Sequence, residues 1–180
     1  MSQLEQNPGV RQPLADVVWR LVKHIGRLGA GDVADLRRGR PCDPTRPALW
    51  RLLTTVVEPA GHLPAVEGQE RDTAERAWAM TCWAIAAAGP TDCRRGSGLG
   101  RTLLSAGVSE LRLVRFLRAG PDRLEDEVRG VISQIASKGE PLHPVDLCRL
   151  ILSAGRDDED EVRRDIARSY FAQERAQRQH

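Results

Sequence analysis

Lysine is almost missing from this 180-residue chain: of its 27 basic residues only Lys23 and Lys138 are not arginine. Aromatic residues are scarce as well, at 4%, with a single tyrosine and two phenylalanines. No run of about 18 apolar residues occurs, which excludes a membrane-spanning helix, and no secretory signal opens the chain. The four cysteines (Cys42, Cys82, Cys93, Cys148) form no C-x-x-C pair. The four histidines (His24, His62, His143, His180) make no H-E-x-x-H or H-x₃₋₅-H set, so neither zinc nor any other metal is expected. Cys82 is expected to pack as a small hydrophobe inside a helix. Together these absences lead to the expectation of a reduced, soluble, cytoplasmic protein.

Strand-like alternation is missing too, and helical periodicity fills the space. Pro13–Gly29 carries Val17, Val18, Leu21, Ile25 and Leu28 at i, i+3/i+4 spacings, with Pro13 in the first turn and Gly29 as the stop. Gly31–Gly39 reads as a short helix, and "PALWRLLTTVV" as another with Leu49, Leu52, Leu53 and Val56 on one side. The Pro- and Gly-punctuated residues 59–68 read as a loop. A long alanine-rich helix follows and ends at Gly89-Pro90, with Ala77, Ala84 and Ala88 for close packing and Trp78 and Ile85 for bulk.

Residues 98–120, "GLGRTLLSAGVSELRLVRFLRAG", give two helices broken near Gly107, the second capped by Ser109 with Glu110 at its positive end. The next helix has a stripe of Leu124, Val128, Val131, Ile132 and Ile135, opened by Pro121 and closed by Gly139. A short helix in "HPVDLCRLILSAG" and a terminal one, with "DDEDE" at its N-terminus and Val162, Ile166 and Tyr170 inward, complete the set. The fold class expected is all-α: a helical bundle of about nine helices in two packed halves, residues 10–107 and 108–176.

No constellation points to catalysis. "GSGLGRTL" at 96–103 has the outline of a phosphate-binding glycine loop, yet no strand precedes it and no Lys-Ser/Thr follows. Gly98 and Gly100 are better explained by a tight turn into a closely packed helix. No catalytic residue and no cofactor is expected.

Charge is distributed unevenly. Residues 1–120 hold 17 Lys+Arg against 12 Asp+Glu, and residues 121–180 hold 10 against 13, giving the net +2. A GC-rich codon composition favours arginine whatever its role, so position counts for more than number. Arg112, Arg115 and Arg118 recur at i+3 in one helix, and no acid within that helix stands at i±4 to pair with them. A row of unpaired guanidinium groups repels itself until a polyanion completes it, and phosphate backbone does so without base readout. The terminal helix, where acids balance arginines, is expected to contribute nothing, so Arg163, Arg164 and Arg175 serve as neutral positions.

The order of these motifs resembles a known family. "ADLRRG", a Pro-rich turn, "PALWRLL", the long alanine-rich helix, "GLGRTLLSAG", "SELRLVRFLRAG", "PVDLCRLIL" and "VRRDIARSYF" follow one another as in the CasB family, from about Leu14 to Tyr170. CasB-like proteins are small subunits of the type I-E CRISPR Cascade surveillance complex. The resemblance implies a non-catalytic, all-helical subunit, paired with a second copy and with other Cascade subunits. It would support the hybrid of guide RNA and target DNA and hold the displaced DNA strand in antiviral defence.

Carried over by motif, Arg37, Arg38, Arg51, Arg101 and Arg112 match basic positions of the family. Arg94, Arg95, Arg115 and Arg129 join them on local charge alone. Two readings from other classes stay open: a helical protein–protein adaptor whose arginines meet acidic partners, and a small helical DNA-binding regulator.

Overall fold

A computed structural model describes residues 12–43, 45–96 and 98–179. The expectations about the first eleven residues, Pro44 in the Pro-rich entry, Ser97 in the glycine loop and His180 lie outside the described residues. Within them the chain is all-α, with nine α-helices: α1 (Leu14–Ile25), α2 (Ala30–Arg37), α3 (Pro47–Leu52), α4 (Gln69–Ala88), α5 (Leu99–Ser105), α6 (Glu110–Leu117), α7 (Pro121–Ser137), α8 (Pro144–Ser153) and α9 (Glu159–Arg178). Among the described residues the only β feature is one parallel bridge between Cys93 and Leu142.

The architecture is organised around α4. Every residue from Trp78 to Ala86 is buried, so this stretch has no solvent face. A helix apolar all round must be wrapped by others, and α1, α2, α7 and α8 pack against it. Its alanines let those neighbours approach, while Trp78 and Ile85, both fully buried, fill the space between them. Helix α2 contributes only Leu36, and α1, α7 and α8 each offer a stripe. In α7 that stripe is Leu124, Val128, Val131, Ile132 and Ile135, all within the core.

A second seam joins α5 to α9, and Gly100 explains its closeness. A Cβ on Gly100 would lie 2.1 Å from the Ile166 carbonyl oxygen and 2.6 Å from the Tyr170 amide nitrogen, both in the α9 backbone. Only glycine allows that approach. Gly98, with φ of +73°, turns the chain into α5. The first amide of α5, Leu99 N–H, donates to Asp146 Oδ2 of α8 at 3.0 Å. The glycine-rich loop therefore serves helix packing, and a carboxylate of the protein already holds the helix end that a phosphate would approach.

Local departures have identifiable causes. Pro13 precedes α1 as its N-cap residue and does not enter the first turn. The helix expected through "LWRLLTTVV" keeps α geometry only to Leu52 and widens into a π turn over Leu53–Val57. Thr54 and Thr55 return their hydroxyls to the Trp50 and Arg51 carbonyls at 2.9 and 2.5 Å. Such back-bonding competes with the backbone ladder, and the Glu58 amide then donates to the Leu53 carbonyl, five residues back, at 2.9 Å. Ser109 caps α6 as expected, accepting from the Arg112 amide.

Candidate nucleic-acid interface

Eight of the nine nominated arginines fall into three groups by what their guanidinium groups already do, and Arg51 stands apart on α3. The first surrounds the C-terminal end of α4. Ala86 in that last turn would normally bond to the amide four residues on, but residue 90 is proline and has no N–H. Arg37 supplies the missing donor: its Nε lies 2.6 Å from the Ala86 carbonyl. In return Trp83 Nε1 donates to the Arg37 carbonyl at 3.3 Å. A cation at a helix C-terminus also complements the dipole.

Arg94 and Arg95 follow the same helix end. Arg94 donates to the Thr91 carbonyl at 2.9 Å, and Arg95 stacks over the Trp19 ring of α1 at 4.7 Å. Arg37, Arg94 and Arg95 are thus brought together by the end of α4, each with a protein partner.

The second group lies along α7 and corrects the expectation of an unpaired arginine row. No acid at i±4 in α6 pairs with Arg112 or Arg115, but α7 supplies partners from the facing helix. Arg115 pairs with Glu127 at 2.7 Å. Arg112 Nη1 donates to Gln134 Oε1 at 2.5 Å, and Gln134 Nε2 donates onward to the Ala106 carbonyl at the end of α5. Arg112 is half-buried and reaches so close to Gly130 that a Cβ there would meet its Nη2 at 2.9 Å. It ties α5, α6 and α7 together. Arg118 has no such partner among the described residues and stays exposed.

Glu127 and Gln134 occupy one flank of α7. The opposite flank carries Arg129 and also Glu125, which pairs with Arg40 at 3.3 Å. Helix α7 therefore separates Arg129 from Arg112 and Arg115. Arg51, on α3, is bound to the Asp32 carboxylate of α2 at 3.1 Å.

The third group is free. Arg38, at the C-cap of α2, Arg101, on the outer side of α5, and Arg129 are exposed. None of the three side chains has a hydrogen bond or ion pair among the described residues. The nine residues do not converge on one spot; they divide into guanidinium groups spent on the fold and guanidinium groups open to solvent.

The remaining titratable groups are structural. Burial holds the Cys148 thiol up at about 12, and burial with Glu125 beside it does the same for Cys42. Thiols so raised are not nucleophiles near neutral pH. Cys82 is wholly buried, packing as a hydrophobe. Arg71, nearly buried, donates to Glu58 and Glu75 at 2.9 Å and to the Pro64 carbonyl at 2.7 Å, pinning the 59–68 loop to α4. Sequence reasoning missed this cluster, although Glu67, Arg71 and Glu75 at i, i+4 spacing signalled it.

Comparison with known proteins settles the family. The model of the family described as CRISPR-associated protein Cse2 matches residues 32–171. The chain belongs to the Cse2 family. That match covers most of the chain and includes all nine nominated arginines, and it bears out the likeness drawn from motif order, Cse2 and CasB being one family. Membership places the chain in the type I-E CRISPR Cascade, within a family of structural subunits that work with other subunits of that complex. No curated protein and no solved structure matches the chain. No helix among the described residues is long and apolar enough to cross a membrane.

Proposed function

We propose that this Cse2-family chain is a non-catalytic Cascade subunit that grips nucleic acid by charge, without reading its sequence. It stabilises the hybrid of guide RNA and target DNA and the displaced strand, in the cytoplasm, beside a second copy of itself. The observation that carries this reading is that three of the nine nominated arginines, Arg38, Arg101 and Arg129, present exposed guanidinium groups with no partner among the described residues, on a chain of that family. Arginine presents a planar fork that suits phosphate. Leaving sequence recognition to base pairing requires of the protein only shape and charge.

The test compares two triple variants by binding to unrelated oligonucleotides across a salt series. Arg38→Ala, Arg101→Ala and Arg129→Ala together should leave the melting temperature nearly unchanged and weaken binding at least about tenfold. The slope of log K against log salt should fall by up to about three. Arg27→Ala, Arg123→Ala and Arg156→Ala, all exposed, form the control and should change little. Equal losses in both would reduce the binding to diffuse attraction, and a strong preference for one duplex sequence would favour the DNA-binding regulator instead.

A further inference from the structure

Helix α9 turns Val162, Ile166 and Tyr170 to the core and leaves the opposite face to solvent. In the middle of that face stands Phe171, 37% exposed. Its ring meets the buried Tyr170 ring edge-on, with centroids 5.3 Å apart, which holds it in place. A shallow groove of about 490 Å³ runs beside it, lined by Arg164, Ala167, Arg168, Phe171, Ala172 and Arg175. The floor is apolar, and every charged residue of the lining is arginine.

The spacing explains the clustering. Arg164, Arg168 and Arg175 stand at i−7, i−3 and i+4 from Phe171, on the same side of the helix. Of the five acids of α9, Asp160 and Glu161 stay exposed in the first turn without an ion pair among the described residues, and the other three are paired. Asp165 is shared between Arg149 at 3.7 Å and Arg168 at 3.4 Å, and Glu174 pairs with Arg178 at 2.8 Å. Glu159 pairs with Arg163, which points inward to the Ala119 carbonyl. Arg164 uses its Nε on the Asp160 carbonyl of its own helix. The Arg175 side chain has neither a hydrogen bond nor an ion pair among the described residues. The expectation that Arg164 and Arg175 are neutral averaged charge over the helix, whereas the fold sorts it by face.

We propose that this face of α9 binds single-stranded nucleic acid, one base stacking on Phe171 while neighbouring phosphates lie on Arg164, Arg168 and Arg175. A single strand supplies both things the lining asks for: a flat π face and a regular run of negative charge. A duplex keeps its bases stacked on each other and offers only the second. From Arg164 to Arg175 the face runs about 16 Å along the helix, enough for a few nucleotides. An acidic protein segment would satisfy the arginines but has no obligate partner for the ring. This proposal rests on the nucleic-acid reading above and adds to it a contact selective for single strands.

The experiment uses the full chain with a labelled oligothymidine and a duplex of equal length at low salt. Phe171→Ala should weaken oligothymidine binding about fivefold or more and leave duplex binding within about twofold, while Phe171→Tyr keeps the parent affinity for both. Arg175→Ala, fully on the surface, should lower the single-strand salt slope by about 0.7 and serves even if Phe171→Ala folds poorly. If neither variant changes oligothymidine binding while the Arg38/Arg101/Arg129 triple does, the α9 proposal falls and the general reading stands. If the parent binds neither probe, both fall. Loss confined to self-association in sedimentation would reassign the face to a protein contact and overturn the proposal.

Discussion

Replacing Gly100 by alanine tests the α5–α9 seam, and the two effects in play have opposite signs. In an open helix position alanine is favoured over glycine by about 1 kcal/mol, because the backbone loses less freedom. Gly100 is not open. The new Cβ would stand 2.1 Å from the Ile166 oxygen, 2.2 Å from Ser169 Oγ and 2.6 Å from the Tyr170 nitrogen. Ser169 can rotate away, although its hydroxyl would leave the Ile166 carbonyl it now meets at 3.1 Å.

The other two atoms are α9 backbone and cannot move alone. Since carbon–oxygen contacts settle near about 3.3 Å, the helices must part by about 1 Å. That separation loosens Leu99 and Leu103 against Ile166 and Tyr170, and stretches the 2.6 Å bond from the Tyr170 hydroxyl to the Val108 carbonyl. Overpacking that forces backbone to shift costs about 1–3 kcal/mol, and with two backbone atoms in the way the upper end applies here. With the propensity gain of about 1 kcal/mol subtracted, a net loss of about 2 kcal/mol remains, a fall of about 4–8 °C in melting temperature for a chain of this size. Gly31→Ala is the control: it lies in α2 with nothing within 4 Å of a new Cβ, and it should hold or raise the melting temperature. A Gly100→Ala protein that melts at or above the parent would refute the close-contact account of the glycine loop.

Arg112→Ala should lower stability by about 1–2 kcal/mol, since it strands the half-buried Gln134 carbonyl oxygen. Arg101→Ala should stay within about 0.5 kcal/mol, and paired urea melts of the two would read the difference. Val131→Asp or Ile135→Asp places a carboxylate on the fully buried stripe of α7. Either should cost several kcal/mol and be seen as lost helicity by circular dichroism. Burial pushes the Asp146 carboxyl up, but His143 and the Leu99 amide outweigh it and hold it below its ordinary value of 3.8. A carboxylate lowered in the fold adds stability that is complete above the ordinary value and lost as pH falls through the lowered one. The stability gap between the parent and Asp146→Asn should therefore be constant near neutrality and close only in the acid range below about 4. A gap that closes already near neutrality would refute this account of Asp146.

The fold was largely legible because burial leaves a periodic trace. The stripe of α7 and the inward Val162, Ile166 and Tyr170 of α9 could be read directly, and glycines marked several of the helix ends. The π turn after Leu52 left no apolar signal, since it arises from two threonine hydroxyls competing with the backbone. Half of the Arg37 contact was readable: Pro90 announces an orphan carbonyl at Ala86, but nothing in the chain says which donor, 49 positions away, will satisfy it. The partners of Arg112 and Arg115 were invisible for a similar reason. A search at i±4 examines one helix, and Glu127 and Gln134 belong to the next. Phe171 stood in plain view among arginines at helical spacing, but charge summed along the whole of α9 concealed the face on which it sits.

Counting arginines overstates a binding surface in a chain whose cations are nearly all arginine. Each guanidinium has five N–H donors, and a buried or half-buried carbonyl will claim some of them before any ligand arrives. Arg37 satisfies Ala86, Arg112 satisfies Gln134, and Arg71 holds a loop through two carboxylates and a carbonyl. Removing such a residue weakens binding by weakening the fold, so a binding assay alone would assign it to the interface. Free guanidinium groups behave the other way: they add little to stability, and their loss appears only when a polyanion is present. The separation of the two effects in one variant, melting temperature against salt-dependent affinity, is therefore the property that distinguishes Arg38, Arg101 and Arg129 from the arginines that the helices have already taken.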